Sequence, residues 1–390
     1  MNKSKILIIV PSFLSGGTVS SLINFVSLVD KERYHISVFA ISPLGPNKQY
    51  VAEHCTIVGE EDNDQTRKLS KSVRRDIKAQ ALSIAKSLKK LIEIIGIDIS
   101  PMLFKRFVKR LDTGEYDYIL AFQEGQATLF GSYFRHGNKV AWVRSEYTRF
   151  VKGVGDKYNA CYEKYDKIVS VSKAALSSFL SVLPQYQDRA YVQYNFLNDE
   201  RIQSLSQKNV DDLWTNEVFT IVTLGRIDPV KRVSEIPRIS RELLDLGLNF
   251  RWVIIGGVAV NEEYDRLKNN INKYKVRENV VILGNRPNPY PYLRHSDLLV
   301  SLSISETFNN TLTEAKILGI PVVTTDYPCA YESIDNNKEG LVTGFDSIVS
   351  AISTMIGDKS QIYSSIKDYL SSYMYNKETL LQNLYGNILS

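Results

Sequence analysis

Histidine and cysteine are scarce in this chain, at four and three residues among 390. Cys55, Cys161 and Cys329 form no C-x-x-C pair and are odd in number. That usage predicts small buried thiols in a reducing compartment rather than a disulfide framework. His35, His54, His136 and His295 are scattered, so no zinc-type cluster is visible and no metal is expected. No apolar run approaches the ~18–20 residues of a membrane-spanning helix. Pro11 interrupts the opening "KILIIVPS" too early for a signal-peptide core. "SFLSGGTVSS" lacks G-x-G-x-x-G, and no acid is suitably placed on the next strand-like segment, which argues against a dinucleotide-dependent oxidoreductase. No short repeat is visible, which excludes a solenoid. These absences lead to a cytoplasmic protein, at most resting peripherally on the inner face of the cell membrane.

What is present is an alternation of strand-like and helix-like segments. "KILIIVP" reads as a fully buried strand, short and without polar alternation. A Gly16-Gly17 turn then enters a helix with Leu22, Phe25, Val26 and Val29 on one face, and "YHISVFAIS" is the next strand. Such a β-α-β unit implies a parallel sheet. The rhythm breaks over 60–115, an acidic loop followed by two basic amphipathic helical stretches. It resumes with "YDYILAF", "KVAWV", "KIVSVS" and "AYVQYN", separated by helices near Ala127–Phe134, near Tyr158 and from Lys173. A polar segment over 198–216 marks a domain boundary. A second set follows: "FTIVTLG", "FRWVIIGG", "NVVILG", "DLLVSLS" and "IPVVTT", with a helical tail from Gln361 to Ser390. The expected class is therefore α/β, with two doubly wound Rossmann-like halves around a cleft. The expected domains are 1–197, 198–375 and a terminal helix over 376–390. Ligands of such sheets sit at the carboxyl ends of strands, against helix N-termini.

Two patterns carry chemistry. In "SETFNNTLTEAKILGIPVV" Glu306 lies in the loop after a buried strand, and Glu314 lies more than one turn into the following helix. The amides of Phe308, Asn309, Asn310 and Thr311 open that helix and form an anion-binding cluster between two carboxylates. Carboxylates repel phosphate but accept hydrogen bonds from sugar hydroxyls, so the set suits a ligand with a central diphosphate and polyols at both ends. The plain alternative is a solvated loop acid and a helix-surface acid. In "TLGRIDPVKR" Gly225 permits a tight turn, while Arg226 and Lys231 flank Pro229 at the same sheet edge. Two cations there suit a leaving diphosphate.

Together, Gly225-Arg226 with Lys231, the "VIIGG" strand and Glu306-x7-Glu314 followed by "LGIPVV" resemble the GT-B retaining glycosyltransferases of family 4, the glycosyl transferases group 1. The match is dense over about 218–335. It is looser over the first half, where "SGG", "KIVSVSKAALSSF" and "VQYN" look like the family's landmarks, and the tail resembles the helix that crosses back to the first domain. The resemblance implies that Arg226 and Lys231 bind the diphosphate. It implies that Glu306 holds donor-sugar hydroxyls, with Thr307 and the amides of Phe308, Asn309, Asn310 and Thr311 beside sugar and phosphate. Glu314 would take the ribose hydroxyls, Arg286 the base region, and Gly16 and Gly17 would let backbone approach the donor. The family often carries a histidine after the strand that here reads "AWVRSEY"; Arg144 stands in that place, with Glu146 two residues on. Arg144, Glu146 and Glu124 are the expected acceptor residues, Arg144 and Glu124 being open to a structural or solvated role instead. Thr307 replaces a glycine common after the first glutamate.

The implied activity is transfer of a sugar from a nucleoside-diphosphate donor, a UDP-sugar foremost, to a glycan or lipid-linked acceptor. Retention of anomeric configuration is implied, with no cofactor and no metal. Asp62-Asn63-Asp64 offers a rival D-x-D metal site, in an acidic run that reads as a loop. A non-catalytic scaffold of the same fold is the alternative of another class. The basic residues Arg67, Arg74, Arg75, Lys78, Lys86, Lys89, Lys90, Lys105, Arg106, Lys109 and Arg110 read as a solvated face or as a surface for anionic lipid or an anionic acceptor. Few aromatics interleave them, so nucleic acid is not an expected partner. Tyr147, Tyr158, Tyr162 and Tyr165 offer aromatic faces that suit an acceptor groove, but most read as half-buried packing residues.

Overall fold

A computed structural model describes residues 3–14, 16–58, 100–209, 218–356 and 361–390. The chain divides into two compact units, Met1–Leu197 with Lys377–Ser390, and Asn198–Asn376.

Among the described residues the first unit holds seven strands: β1 (Ser4–Val10), β2 (Tyr34–Ala40), β3 (Thr56–Ile57), β4 (Tyr118–Ala121), β5 (Asn138–Val143), β6 (Lys167–Ser170) and β7 (Ala190–Val192). Their spatial order is β3-β2-β1-β4-β5-β6-β7, all parallel. The second holds β8 (Phe219–Leu224), β9 (Phe250–Ile255), β10 (Val280–Gly284), β11 (Leu298–Ser301), β12 (Val322–Thr325) and β13 (Gly340–Thr343). Their order is β10-β9-β8-β11-β12-β13, again parallel. Each first strand, β1 or β8, is therefore central. The chain winds outward on one side, then returns to wind outward on the other. The connections leaving β1 and β4, and those leaving β8 and β11, diverge at these reversals, where a sheet opens a crevice at its carboxyl edge.

Central position explains the apolar runs: Ile6 to Val10 in β1 are all fully buried. Three aspartates recur as strand-entry clamps. Asp117, Asp166 and Asp297 each precede a strand and accept the amide of a neighbouring strand's second residue: Lys5 N, Lys139 N and Thr220 N, each at 2.7 Å. Each carboxylate satisfies an amide that the ladder leaves unpaired. In the first core Phe39, Phe104, Phe107 and Phe130 pack together, two of them supplied by the helix Ser100–Leu111. Trp252 centres the second core and donates through its indole N–H to Thr223 Oγ1 at 3.0 Å.

The edge strands β3 and β13 were not expected; one has two residues and the other opens on a glycine, so neither carries a periodic signal. The helix expected near Tyr158 is a 3-10 turn, Asn159–Lys164, preceded by a helix at Tyr147–Val154. The polar segment after residue 198 forms a helix, Asp199–Ser206, capped by Asn198, whose Oδ1 accepts from Arg201 N. The tail is two helices, Gln361–Ser371 and Lys377–Asn383, and a π-helical turn, Leu384–Ile388. Its end is tied to the first unit: Tyr385 stacks on Tyr34 at 5.6 Å, and Tyr118 donates its hydroxyl to Leu389 O at 2.9 Å. Cys161 and Cys329 are buried and Cys55 is half-buried. Asp62, Asn63, Asp64 and the basic residues from Arg67 to Lys90 lie outside the described residues.

Candidate active site

β8 and β11 are neighbours, so the two chemistry-bearing loops of the second unit leave the sheet side by side. Ile304 N donates to Val230 O at 2.8 Å, which stitches the loops together. That stitch brings the Lys231 ammonium onto Glu306 Oε1, an ion pair between residues 75 apart in sequence. Ser303 Oγ donates to the same carboxylate oxygen at 2.8 Å. Ser303 is 1% exposed and lies at the mouth of β11. The Glu306 main chain is also held, since Cys329 Sγ donates to Glu306 O at 3.1 Å. Asp228 organises the facing loop: its Oδ1 accepts from Lys231 N at 3.1 Å and its Oδ2 pairs with Arg226 Nη2 at 3.2 Å. Arg226 is the open member, its side chain 66% exposed, against 20% for Lys231 and 16% for Glu306.

Glycines let these turns approach. A Cβ on Gly256 would stand 1.7 Å from Gly225 O, so the "VIIGG" motif is a close backbone contact between the ends of β8 and β9. The helix Asn310–Ile317 starts one residue past Asn309, and Gly319, at φ 70°, follows its end. Asn309 is buried and donates its amide to Tyr327 OH at 3.1 Å, which pins the helix entrance. Thr307 and Phe308 lead into that entrance, half-buried, and Asn310 and Thr311 begin the helix. Glu314 is not beside Glu306's partners. It accepts a hydrogen bond from Tyr290 OH at 3.3 Å, and burial pushes its carboxyl up to about 7, the Tyr290 bond partly opposing this. Arg286 donates Nε to Tyr292 OH at 3.2 Å, on the helix that Tyr290 opens.

In the first unit, Gly16 and Gly17 stand at the head of the helix Gly17–Leu28, where an added Cβ would meet nothing within 4 Å. Glu124 and Arg144 lie past the ends of β4 and β5 and are bonded inward. Glu124, 6% exposed, accepts from Arg144 N at 2.8 Å, which corrects its reading as a solvated loop acid. Arg144 donates Nε to Phe122 O at 2.8 Å and Nη1 to Asn195 Oδ1 at 2.9 Å, with its guanidinium 3.9 Å over the Phe122 ring. Burial pulls that guanidinium down to about 9, against the opposing charge of Glu124. Glu146 precedes the helix Tyr147–Val154 and accepts from Thr148 Oγ1. Tyr147, Tyr158, Tyr162 and Tyr165 are all buried, which agrees with their reading as packing residues and not with the groove-lining one.

Ser303, Asp228, Tyr290 and Asn195 were not singled out from sequence. Asp228 had a local signal, standing between Arg226 and Lys231 just before Pro229; the other three act through contacts that sequence spacing does not reveal. Among the described residues, no group of three or more His, Cys, Asp or Glu is placed to hold a metal ion.

Comparison with known proteins places this geometry in context. Residues 208–366 match the family model described as glycosyl transferases group 1. The "Uncharacterized glycosyltransferase MJ1059" of Methanocaldococcus jannaschii is 25% identical over 196 residues, 48% of this chain and 48% of that protein. The N-acetylgalactosamine-N,N'-diacetylbacillosaminyl-diphospho-undecaprenol 4-alpha-N-acetylgalactosaminyltransferase of Campylobacter jejuni is 26% identical over 201 residues, 50% of this chain and 52% of that protein. The chain thus spans about half the length of these curated relatives. The crystal structure of Anabaena Alr3699/HepE in complex with UDP and glucose superposes with a TM-score of 0.72 at 17% identity, covering 99% of this chain and all of that one. At that identity the likeness speaks to fold alone.

Proposed function

We propose, from the premise that residues 208–366 belong to the glycosyl transferases group 1 family and that the fold is GT-B, that this protein is a retaining, metal-independent glycosyltransferase. Its donor is a nucleoside-diphosphate sugar, a UDP-sugar foremost, and its acceptor a glycan or lipid-linked glycan of surface polysaccharide or glycoconjugate synthesis. The observation that carries the reading is the Lys231–Glu306–Ser303 cluster at the carboxyl edge of β8 and β11, beside the entrance of the helix Asn310–Ile317. UDP is bound in the Anabaena structure, and the Campylobacter relative is named for transfer onto a lipid diphosphate.

The chemistry follows from the groups present. The bond between the anomeric carbon and the diphosphate oxygen breaks through an oxocarbenium-like state. The acceptor oxygen bonds to that carbon on the face the leaving group vacates, and the departing phosphate oxygen takes the acceptor's proton. No enzymic nucleophile is needed. Lys231 has three N–H donors; Glu306 engages one, which leaves others for a phosphate oxygen. Arg226, steadied by Asp228 but open to solvent, supplies a second cation. Glu306 accepts hydrogen bonds from donor-sugar hydroxyls, and Glu314 from the ribose. Thr307 and the amides from Phe308 to Thr311 serve sugar and phosphate, Arg286 the base, and Gly16 and Gly17 the donor's approach, while Glu124, Arg144 and Glu146 are the residues assigned to the acceptor. These cations and the helix dipole stand in for a metal.

A thermal-shift series over UDP-, GDP-, ADP- and CDP-sugars tests the donor. A ligand at ~100 times its Kd stabilises the folded state by about 2.7 kcal/mol, so one sugar nucleotide should raise the melting temperature by several degrees. Turnover should persist in excess chelator, and the product's anomeric proton coupling should match the donor's. Activity abolished by chelation and restored by Mn²⁺ overturns the metal-independent reading.

The protein is also proposed to work in the cytoplasm against the inner membrane face. The helix Ser100–Leu111 buries Phe104, Phe107 and Val108 and leaves Lys105, Arg106, Lys109 and the apolar Met102 exposed. A cationic face with an apolar tip suits an anionic lipid surface, each basic residue contributing ~1 kcal/mol near it. Sedimentation with phosphatidylglycerol vesicles should retain the protein at low salt and release it at high salt. Equal retention by neutral vesicles argues against charge-driven contact.

A further inference from the structure

Glu314 is half-buried in the helix Asn310–Ile317, with its carboxyl facing a neighbouring element rather than bulk water. That element is the short helix Tyr290–Arg294, which presents the Tyr290 hydroxyl to Glu314 Oε1 at 3.3 Å. We propose that Tyr290 is a positioning residue of the donor site: its hydroxyl occupies one oxygen of Glu314 and leaves the other to accept a ribose hydroxyl. The inference rests on the donor reading above and names what orients that reading's ribose ligand.

The surroundings are built for this bond. Tyr290 N donates to Asn288 Oδ1 at 3.3 Å, and Asn288 Nδ2 donates to Leu205 O at 2.9 Å. Leu205 belongs to the helix Asp199–Ser206, whose Gln203 Nε2 donates to Ile317 O at 2.8 Å. One helix thereby braces both the tyrosine's segment and the end of the glutamate's helix. Among the described residues the charged groups acting on the pair are few. Arg201, on the bracing helix, acts on Tyr290 and opposes the rise in its phenol that burial and Glu314 cause. β12, which the helix Asn310–Ile317 also touches, carries only Val322, Val323, Thr324 and Thr325. On the glutamate's own helix Lys316 is turned to Glu339, at 2.8 Å.

The phenol is held well above its ordinary value, so it is a neutral donor at working pH. Burial raises the Glu314 carboxyl to about 7, and the tyrosine bond lowers it. An ionised carboxylate accepts at both oxygens, here one from the Tyr290 hydroxyl and one from a ribose hydroxyl, and protonation converts one of them into a donor. Donor binding should therefore weaken as pH falls through about 7. Without the tyrosine hydroxyl the weakening should begin at higher pH, because the ionised form has lost a favouring bond.

The test uses the full chain with its glutamate carboxyls labelled with carbon-13, and Tyr290→Phe, which keeps the ring. The resonance absent from Glu314→Gln should titrate near 7 in the native protein. In Tyr290→Phe its midpoint should rise by about half to one pH unit, the equivalent of one net hydrogen bond. Calorimetry with UDP and with GDP over the same range should show the Kd of the bound nucleotide rising roughly tenfold per pH unit below each protein's midpoint. Glu314→Gln should lack that rise, and steady-state donor KM should move while kcat holds. A midpoint unmoved in Tyr290→Phe, or nucleotide binding with the same pH profile in all three proteins, overturns the proposal. Binding of neither nucleotide to the native protein overturns the donor reading and the ribose role with it, and the carboxyl titration still reports whether the bond exists.

Discussion

Replacing Lys231 with alanine is expected to slow turnover by roughly 10²–10³-fold, the loss that accompanies removal of one preorganised group from a developing charge. In the proposed mechanism the ammonium meets the leaving diphosphate, and Glu306 on the adjacent loop holds it in place. Water solvates a phosphate only after reorienting, whereas this group is already aimed, so its removal raises the barrier rather than merely weakening binding. The fold should survive. The pair is one-sixth to one-fifth exposed, and Glu306 keeps the Ser303 hydroxyl at 2.8 Å and a route to water. Arg226→Ala should act in the same direction with even less effect on stability, because that side chain is 66% exposed. The double variant should lose less than the product of the single losses, since both cations serve one diphosphate. The assay is release of nucleoside diphosphate from the donor that passes the thermal screen. Native turnover in Lys231→Ala, with a native melting temperature, would remove the cation from the mechanism, whereas no turnover of any sugar nucleotide by the native protein would favour the non-catalytic scaffold.

The largest expected effect on stability comes from a glycine with no chemistry of its own. Gly256→Ala places a methyl 1.7 Å from Gly225 O, far inside contact distance, and the obstructing atom is backbone that no rotamer change can remove. Gly225 N also donates to Ile255 O at 3.0 Å and Ile227 N to Gly257 O at 2.9 Å, so the β8 and β9 ends are locked at short range. Forcing them apart should cost roughly 1–3 kcal/mol or more, lowering the second unit's melting temperature by about 2–4 °C per kcal/mol. The turn that carries Arg226, Asp228 and Lys231 would shift with it, so donor affinity should fall as well. Gly257→Ala is the matched control, because its new methyl would meet only Asn285 Cβ, at 3.9 Å. Equal melting temperatures for the two variants would mean that the backbone relaxes at no cost and that close approach is not why glycine stands at 256.

Both effects depend on tertiary contacts, whereas part of the fold was legible in the sequence. The alternation of apolar runs with amphipathic helices was legible because it is local: a strand buried on both faces between helices must be short and almost wholly apolar. "KILIIVP" and "FTIVTLG" carry that signature without reference to their neighbours. β3 and β13 escaped it, since two to four residues at a sheet edge bury too little to leave a pattern. The placement of Glu306 after a strand and of Glu314 inside a helix was legible for the same local reason. The tyrosines read as half-buried packing residues, but an aromatic ring packs as well at a core's edge as at its centre, and only their neighbours decided that Tyr147, Tyr162 and Tyr165 are fully core.

By itself, then, the sequence determined the class of fold and the residue types of two candidate loops, through periodicities that act within a few residues. Tertiary structure alone decided that β8 lies against β11, and therefore that Lys231 meets Glu306. It also decided that Arg144 and Glu124 turn inward and that Tyr290 reaches Glu314. Strand order and side-chain direction arise from burying all the segments at once, and no local pattern encodes which distant loops that packing will bring together.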